Sequence, residues 1–134
     1  MPHVSKHKLD KKVEDELSDT LDLILSKLSN KESVRHFLLS LLTPTERVML
    51  AKRLAIIILL KEEVPQSHVA QTLHVTRITV SRLQFFLEAR GQGYEEAFEI
   101  LKKEEDVRQL KSTLLKLVAY TIRAAGGRVK PGIF

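Results

Sequence analysis

Residues 66–83 read QSHVAQTLHVTRITVSRL, and the fold of the chain turns on how this stretch is interpreted. Two short helices that cross at a steep angle need a small residue at the crossing, apolar residues at the inner positions and an interruption between them. Ala70 is the small residue, and Val69, Leu73, Val75, Val80 and Leu83 are the inner ones. Counted from Gln66, Ala70 stands fifth and Val80 fifteenth, the spacing of a helix-turn-helix that extends over about 66–90. His74 takes the turn position, where Gly is more usual because the backbone there has positive φ. His is among the residues enriched in the left-handed region, so the turn is still expected at this point. The same apolar spacing also describes a helical hairpin packed inside an ordinary bundle. Against that stands the outer face, which carries Thr, Arg and Ser where solvent more often selects Glu or Lys.

A helix-turn-helix sets its second helix in the major groove with the N-terminal half toward the base edges. The outward residues are then Thr76, Arg77, Ile78, Ser81 and Arg82, with Thr79 beside them. Arg can bridge O6 and N7 of guanine, Thr and Ser can pair with base or phosphate, and an apolar side chain can meet a thymine methyl. Gln66 and Ser67 open the first helix, where side chains and free N–H groups suit a phosphate. Double-stranded DNA is the expected partner. A helical adaptor, in which the motif is purely structural, is the alternative from another class.

Upstream, Thr43-Pro44-Thr45-Glu46 has Thr at the N-cap, Pro at the first helical position and Glu at the third, a capping box. A helix is expected from there to about Glu62. Its centre, Leu54 to Leu60, is apolar almost all round, which suits a buried central helix. Glu32 to Leu42 forms a preceding helix with Val34, Phe37, Leu38, Leu41 and Leu42 on one face. From about Lys8 to Ser29, Leu9, Val13, Leu17, Leu21, Ile24, Leu25 and Leu28 recur at spacings of three and four, one stripe on an acidic helix. A solitary helix cannot bury such a stripe, so packing on the domain or on a second chain is expected, and dimerisation is the natural form.

Downstream, Val64-Pro65 breaks the central helix, and Gly91 with Gly93 is expected to stop the recognition helix. Tyr94 to Lys103 is amphipathic with Ala97, Phe98 and Leu101 inward. Val107 to Ala124 repeats the pattern with Val107, Leu110, Leu114, Leu117, Val118 and Ile122. The last ten residues, AGGRVKPGIF, are read as a mobile basic tail.

Composition narrows the class. The 134 residues suit one mostly helical domain, with 43% hydrophobic and 29% charged residues. Without Cys there are no disulfides, thiolate nucleophiles or Cys-based zinc sites. The five His are scattered, and only His3 and His7 have i, i+4 spacing, so no metal site is expected. No nucleophile–base pair, Gly-rich phosphate loop or paired-carboxylate signature is visible, so the chain reads as a non-enzyme with no catalytic residues. The N-terminus lacks the apolar core of a signal peptide, and the longest apolar run, Leu54 to Leu60, falls short of the roughly 20 residues a membrane span needs. A cytoplasmic location without membrane association is expected. Through residue 100, 14 Lys and Arg balance 14 Asp and Glu, whereas from Leu101 onward there are 8 basic and 3 acidic residues. The whole net charge of +5 therefore sits in the C-terminal segment, which favours a polyanionic partner or a solvated tail.

Four features together resemble the Trp repressor family: the Leu42-Thr43-Pro44-x-Glu46-Arg47 entry, Arg53 further along the same helix, a helix-turn-helix opening at Gln66, and the Thr79-Val80-Ser81-Arg82 ending. The likeness covers residues 41–83, and the order of helices corresponds from about 8 to 104. It implies an all-α, multi-helix bundle containing the helix-turn-helix, as an intertwined homodimer whose reading heads lie one DNA turn apart, and a transcriptional regulator, in the first place a repressor. On this reading residues 1–104 are the DNA-binding domain, 105–124 an additional amphipathic helix and 125–134 the tail.

The resemblance also implies that Arg53 and Arg82 correspond to the arginines that sandwich a tryptophan corepressor, with Thr43 on the ligand side. Leu83 stands where the family has a small Gly, and Phe86 where it has Ser. Both add bulk at the indole and amino group, so no tryptophan cofactor is expected, and Leu83 and Phe86 are expected to fill the site. Arg82 is thereby given two roles, toward DNA by the motif and toward a ligand by the resemblance.

Overall fold

A computed structural model describes residues 7–126 of the chain. Among the described residues there are seven helices and no strand: α1 (Lys11–Lys27), α2 (Lys31–Leu41), α3 (Pro44–Lys61), α4 (Gln66–Leu73), α5 (Arg77–Arg90), α6 (Gln92–Leu101) and α7 (Glu105–Ala124). The fold is all-α, as expected. Apart from Ala125 and Gly126, the expected tail lies outside the described residues.

The chain divides into two compact units, one running to Leu50 and the other from Ala51. In the first, α1 and α2 bury no residue at all. Val13, Leu17, Leu21, Ile24 and Leu25 form the expected stripe on α1, Leu9 lies just before the helix, and each remains exposed. Asn30 caps α2 by accepting from the Ser33 N–H at 2.9 Å. The capping box read at Thr43 is present in both directions. The Glu46 N–H donates to Thr43 Oγ1 at 3.1 Å, and the Thr43 N–H donates to Glu46 Oε1 at 2.9 Å. These bonds hold the Glu46 carboxyl below its usual range, the Thr43 backbone N–H contributing most and the Thr43 side chain next.

The second unit holds the core. Ile56, Ile57, Ile58 and Leu59 are four consecutive buried residues of α3, so this part of the helix is enclosed on every side. Around it cluster Val64, Val69, Ala70, Val80, Leu83, Leu114, Val118 and Ile122. Helix α4 packs against both α5 and α7. The C-terminal helix is therefore part of the same core as the helix-turn-helix, with Val118 fully buried.

Three local expectations are corrected. Gly93 does not stop a helix, because it lies inside α6, which starts at Gln92. Gly91 alone makes the break, and a Cβ there would sit 2.1 Å from the Leu87 carbonyl oxygen, so the turn has room only for Gly. Ala97 faces solvent while Tyr94, Phe98 and Leu101 turn inward, so the inner face of α6 is set by its aromatic pair. On α7, Leu110 and Leu117 are 44% and 43% exposed, and Ala119 takes an inner place instead.

Candidate nucleic-acid interface

Both turns that frame α4 are closed in the same way. The Val64 N–H bonds to the Leu59 carbonyl at 3.1 Å, and the Val75 N–H to the Ala70 carbonyl at 3.1 Å. Each is a bond across six residues that needs a left-handed residue just before the donor. Glu63 at φ 60° and His74 at φ 53° supply it, and they are the only non-glycine residues with positive φ among those described. The turn expected at His74 is therefore present. The break expected at Val64-Pro65 is present too, with Glu63 as its left-handed residue, a position that Glu does not mark in the sequence.

Beyond His74, Thr76 caps α5 by accepting from the Thr79 N–H at 3.2 Å, and the two threonine hydroxyls lie 2.9 Å apart. The inner face of the motif is as the spacing required, with Val69 and Val80 fully buried, Ala70 and Leu83 nearly so, and Leu73 and Val75 packed against them. The outer face holds Thr76, Arg77, Ile78, Thr79, Ser81 and Arg82, all exposed, and Ile78 is 66% exposed. Neither Arg77 nor Arg82 is in an ion pair among the described residues. Ser67 is exposed at the start of α4.

Gln66 and Ser81 are brought together directly. Ser81 Oγ donates to Gln66 Oε1 at 2.7 Å, and Gln66 Nε2 donates to Gln84 Oε1. The bridge ties the first turn of α4 to the middle of α5, so Gln66 and Ser81 help to fix the two helices relative to each other. Gln84 was not singled out from the sequence. A polar residue between Leu83 and Phe85 carries no pattern that separates it from a solvated position.

The candidate ligand residues are distributed differently. Thr43 spends its hydroxyl on the helix cap. Arg53 lines a cavity of about 370 Å³ with Ile57, Leu83, Phe86, Arg90 and Tyr94. Arg82 is absent from that lining, and Arg90 takes the place of a second guanidinium, stacked 4.6 Å from the Phe86 ring centre. Leu83 is buried in the wall and Phe86 is 43% exposed, so the two line the cavity and do not fill it as expected. A second cavity, about 240 Å³, lies beside α6 and α7, and its rim carries the Lys61–Glu95 and Lys111–Glu62 ion pairs together with Glu99 and Lys102. Among the described residues no cluster of His, Asp or Glu is placed to hold a metal ion. Among the described residues no helix is long and apolar enough to cross a membrane.

Compared with known proteins, the chain matches no curated protein and no solved structure. A family model described as Trp repressor protein matches residues 15–105, which takes in most of α1 and everything through α6, the framed α4 and the capped α5 included. On that match, which spans more than half of its length, the chain belongs to the Trp repressor family.

Proposed function

We propose that the protein is a cytoplasmic, homodimeric transcriptional repressor that reads a specific double-stranded DNA sequence with α5. Its family is one of helix-turn-helix DNA-binding regulators and not of enzymes. The observation that carries the finer reading is the first turn of α5. Thr76, Arg77, Ile78 and Thr79 are open to solvent on a helix whose opposite side is buried through Val80 and Leu83 and tied to α4 through Gln66. A rigid helix that offers an unpaired Arg, two hydroxyls and an apolar side chain from its N-terminal half suits the major groove. Ser67 at the start of α4, and Gln66 once its bridge is shared, suit the flanking phosphate. Arg82 is assigned to DNA in this proposal.

The proposal includes no tryptophan cofactor. Leu83 lies in the wall of the Arg53 cavity, and Arg82 does not line it. With Thr43 committed to its cap, the tryptophan-binding set Thr43, Arg53 and Arg82 has little left to act with. The homodimer is supported by α1, whose apolar stripe is uncovered in the single chain.

Selection of bound duplexes from random DNA, with and without tryptophan, tests the reading. Two half-sites about 10 base pairs apart, centre to centre, are expected, with the same enrichment under both conditions. Failure to enrich any motif would favour the adaptor alternative. Enrichment only with tryptophan would return Arg82 and Arg53 to a corepressor.

A further inference from the structure

Helix α7 begins where the family match ends, and it has two apolar faces. One carries Leu114, Val118, Ala119 and Ile122 into the core. The other carries Leu110, Leu117 and Tyr120, which are 44%, 43% and 71% exposed. With about 100° per residue these three, together with Thr113, fall on one arc of the helix that adjoins the buried side, Leu110 lying one turn before Leu114. Lys116 and Arg123, seven residues apart, run along one edge of that arc. After Glu105 and Asp106 of its first turn, α7 has four basic residues and no acidic one; Arg108 and Lys111 are already paired with Glu105 and Glu62, and Lys116 and Arg123 are the basic residues beside the arc.

Helix α1 is the complement in both respects. From Val13 to Ser26 there are five acidic residues and no basic one, and the stripe from Leu9 to Leu25 is uncovered. Glu14 and Glu16 flank that stripe. Helix α6 is acidic too, but Tyr94 and Phe98 are packed on the core, and Ile100 alone is a largely exposed apolar residue without a stripe around it. A second α7 would set like charges against each other. Among the described helices, α1 is left as the one with both an unspent apolar stripe and the opposite charge.

We infer that the exposed Leu110–Leu117–Tyr120 face of α7 is the seat of α1 from a second copy of the chain. The interface thereby extends past the segment that the family model covers. The inference rests on the homodimer proposed above. Duplex DNA is the competing occupant for the basic residues, yet phosphates give no reason for three exposed apolar side chains between them. Opposite charges on facing surfaces also fix the pairing of α1 with α7 and disfavour α7 with α7.

The test uses the full chain with Tyr120 replaced by p-benzoylphenylalanine, a substitution at the most exposed of the three positions. Protein labelled with heavy nitrogen and unlabelled protein are refolded together, irradiated and digested with trypsin. The expected product joins the peptide Leu117–Arg123 to the peptide Val13–Lys27, with about half of the joined pairs carrying one label each. Sedimentation of the Leu117→Glu, Tyr120→Glu double variant, its helix content checked by circular dichroism, is expected to show a dimer weakened roughly tenfold or more. If the unaltered chain sediments as a monomer, the homodimer proposal itself fails. If it is a dimer but the crosslinks fall on other helices, or join two segments of one chain, the α1–α7 contact alone is overturned. The same holds if Lys116→Glu leaves the dimer intact while flattening the salt dependence of duplex binding, which would give this face to DNA.

Discussion

Val118→Ala offers a direct measure of whether α7 folds as one unit with the helix-turn-helix. Val118 has no exposed surface and lies in the core that α7 shares with α3, α4 and α5. The substitution removes two methyl groups, worth about 0.8 kcal/mol each in transfer from water. The space they leave, of order 45 Å³, adds at most about 1 kcal/mol where the surroundings do not collapse. The expected loss is about 1.5–2.5 kcal/mol, read as a shift of the urea midpoint at fixed protomer concentration with an unchanged slope. Val80→Ala is a matched reference, the same residue type at the same zero exposure but inside the helix-turn-helix. Ser112→Ala, on the solvent side of α7, should stay within about 0.5 kcal/mol of the parent. Equal losses at Val118 and Val80 mean that α7 and the motif unfold as one. A loss below about 0.5 kcal/mol at Val118 beside a full loss at Val80 would refute the docking of α7.

His74→Gly should stabilise the chain by about 0.5–1 kcal/mol and His74→Val should destabilise it by about 1–2 kcal/mol, because the left-handed turn penalises a Cβ and penalises a branched one more; thermal melts of both variants check the opposite signs. Thr72→Val should raise stability by about 1 kcal/mol, since the Thr72 hydroxyl is buried without a partner, and a drop in the urea midpoint would show that the hydroxyl is satisfied after all. Glu46 stabilises the folded state through a carboxyl held below its usual 4.5, so its contribution is present above that value and is lost as the pH falls through the lowered one. The melting temperatures of the parent and of Glu46→Gln should therefore converge in acid, and a gap that persists at low pH would point to another cause. Arg77→Ala should cost about 1–3 kcal/mol on the selected duplex and relax preference at one base position, a pattern that binding to a panel of single-base variants resolves.

The helix-turn-helix was legible because its constraints are local and steric. A small residue at Ala70, a left-handed turn at His74 and inner valines at Val69 and Val80 each leave a mark at a fixed spacing. The box at Thr43 was legible for the same reason, as both of its partners lie within one helical turn. What the sequence concealed was long-range. The Gln66–Ser81–Gln84 bridge joins residues whose polarity alone fits any exposed position. Periodicity gave α7 a single stripe, but the helix has two, and Leu110 and Leu117 lie on the outer one. Residues three or four apart sit on neighbouring faces, so a pattern of apolar spacings cannot divide a wide stripe between two partners.

That division bears on how the helix-turn-helix is held. In a helix-turn-helix whose α4 packed only on α5, the orientation of the pair would depend on whatever else filled the space around it. Here α4 has neighbours on two sides, α5 and α7, and its ends are fixed by the two left-handed turns at Glu63 and His74. The Ser81–Gln66 bond adds a polar tie at the end of α4 opposite to the His74 turn. Buried Val118 and Ile122 of α7 and buried Leu83 of α5 thus act in one direction: the orientation of the helix-turn-helix is held by packing within the single chain.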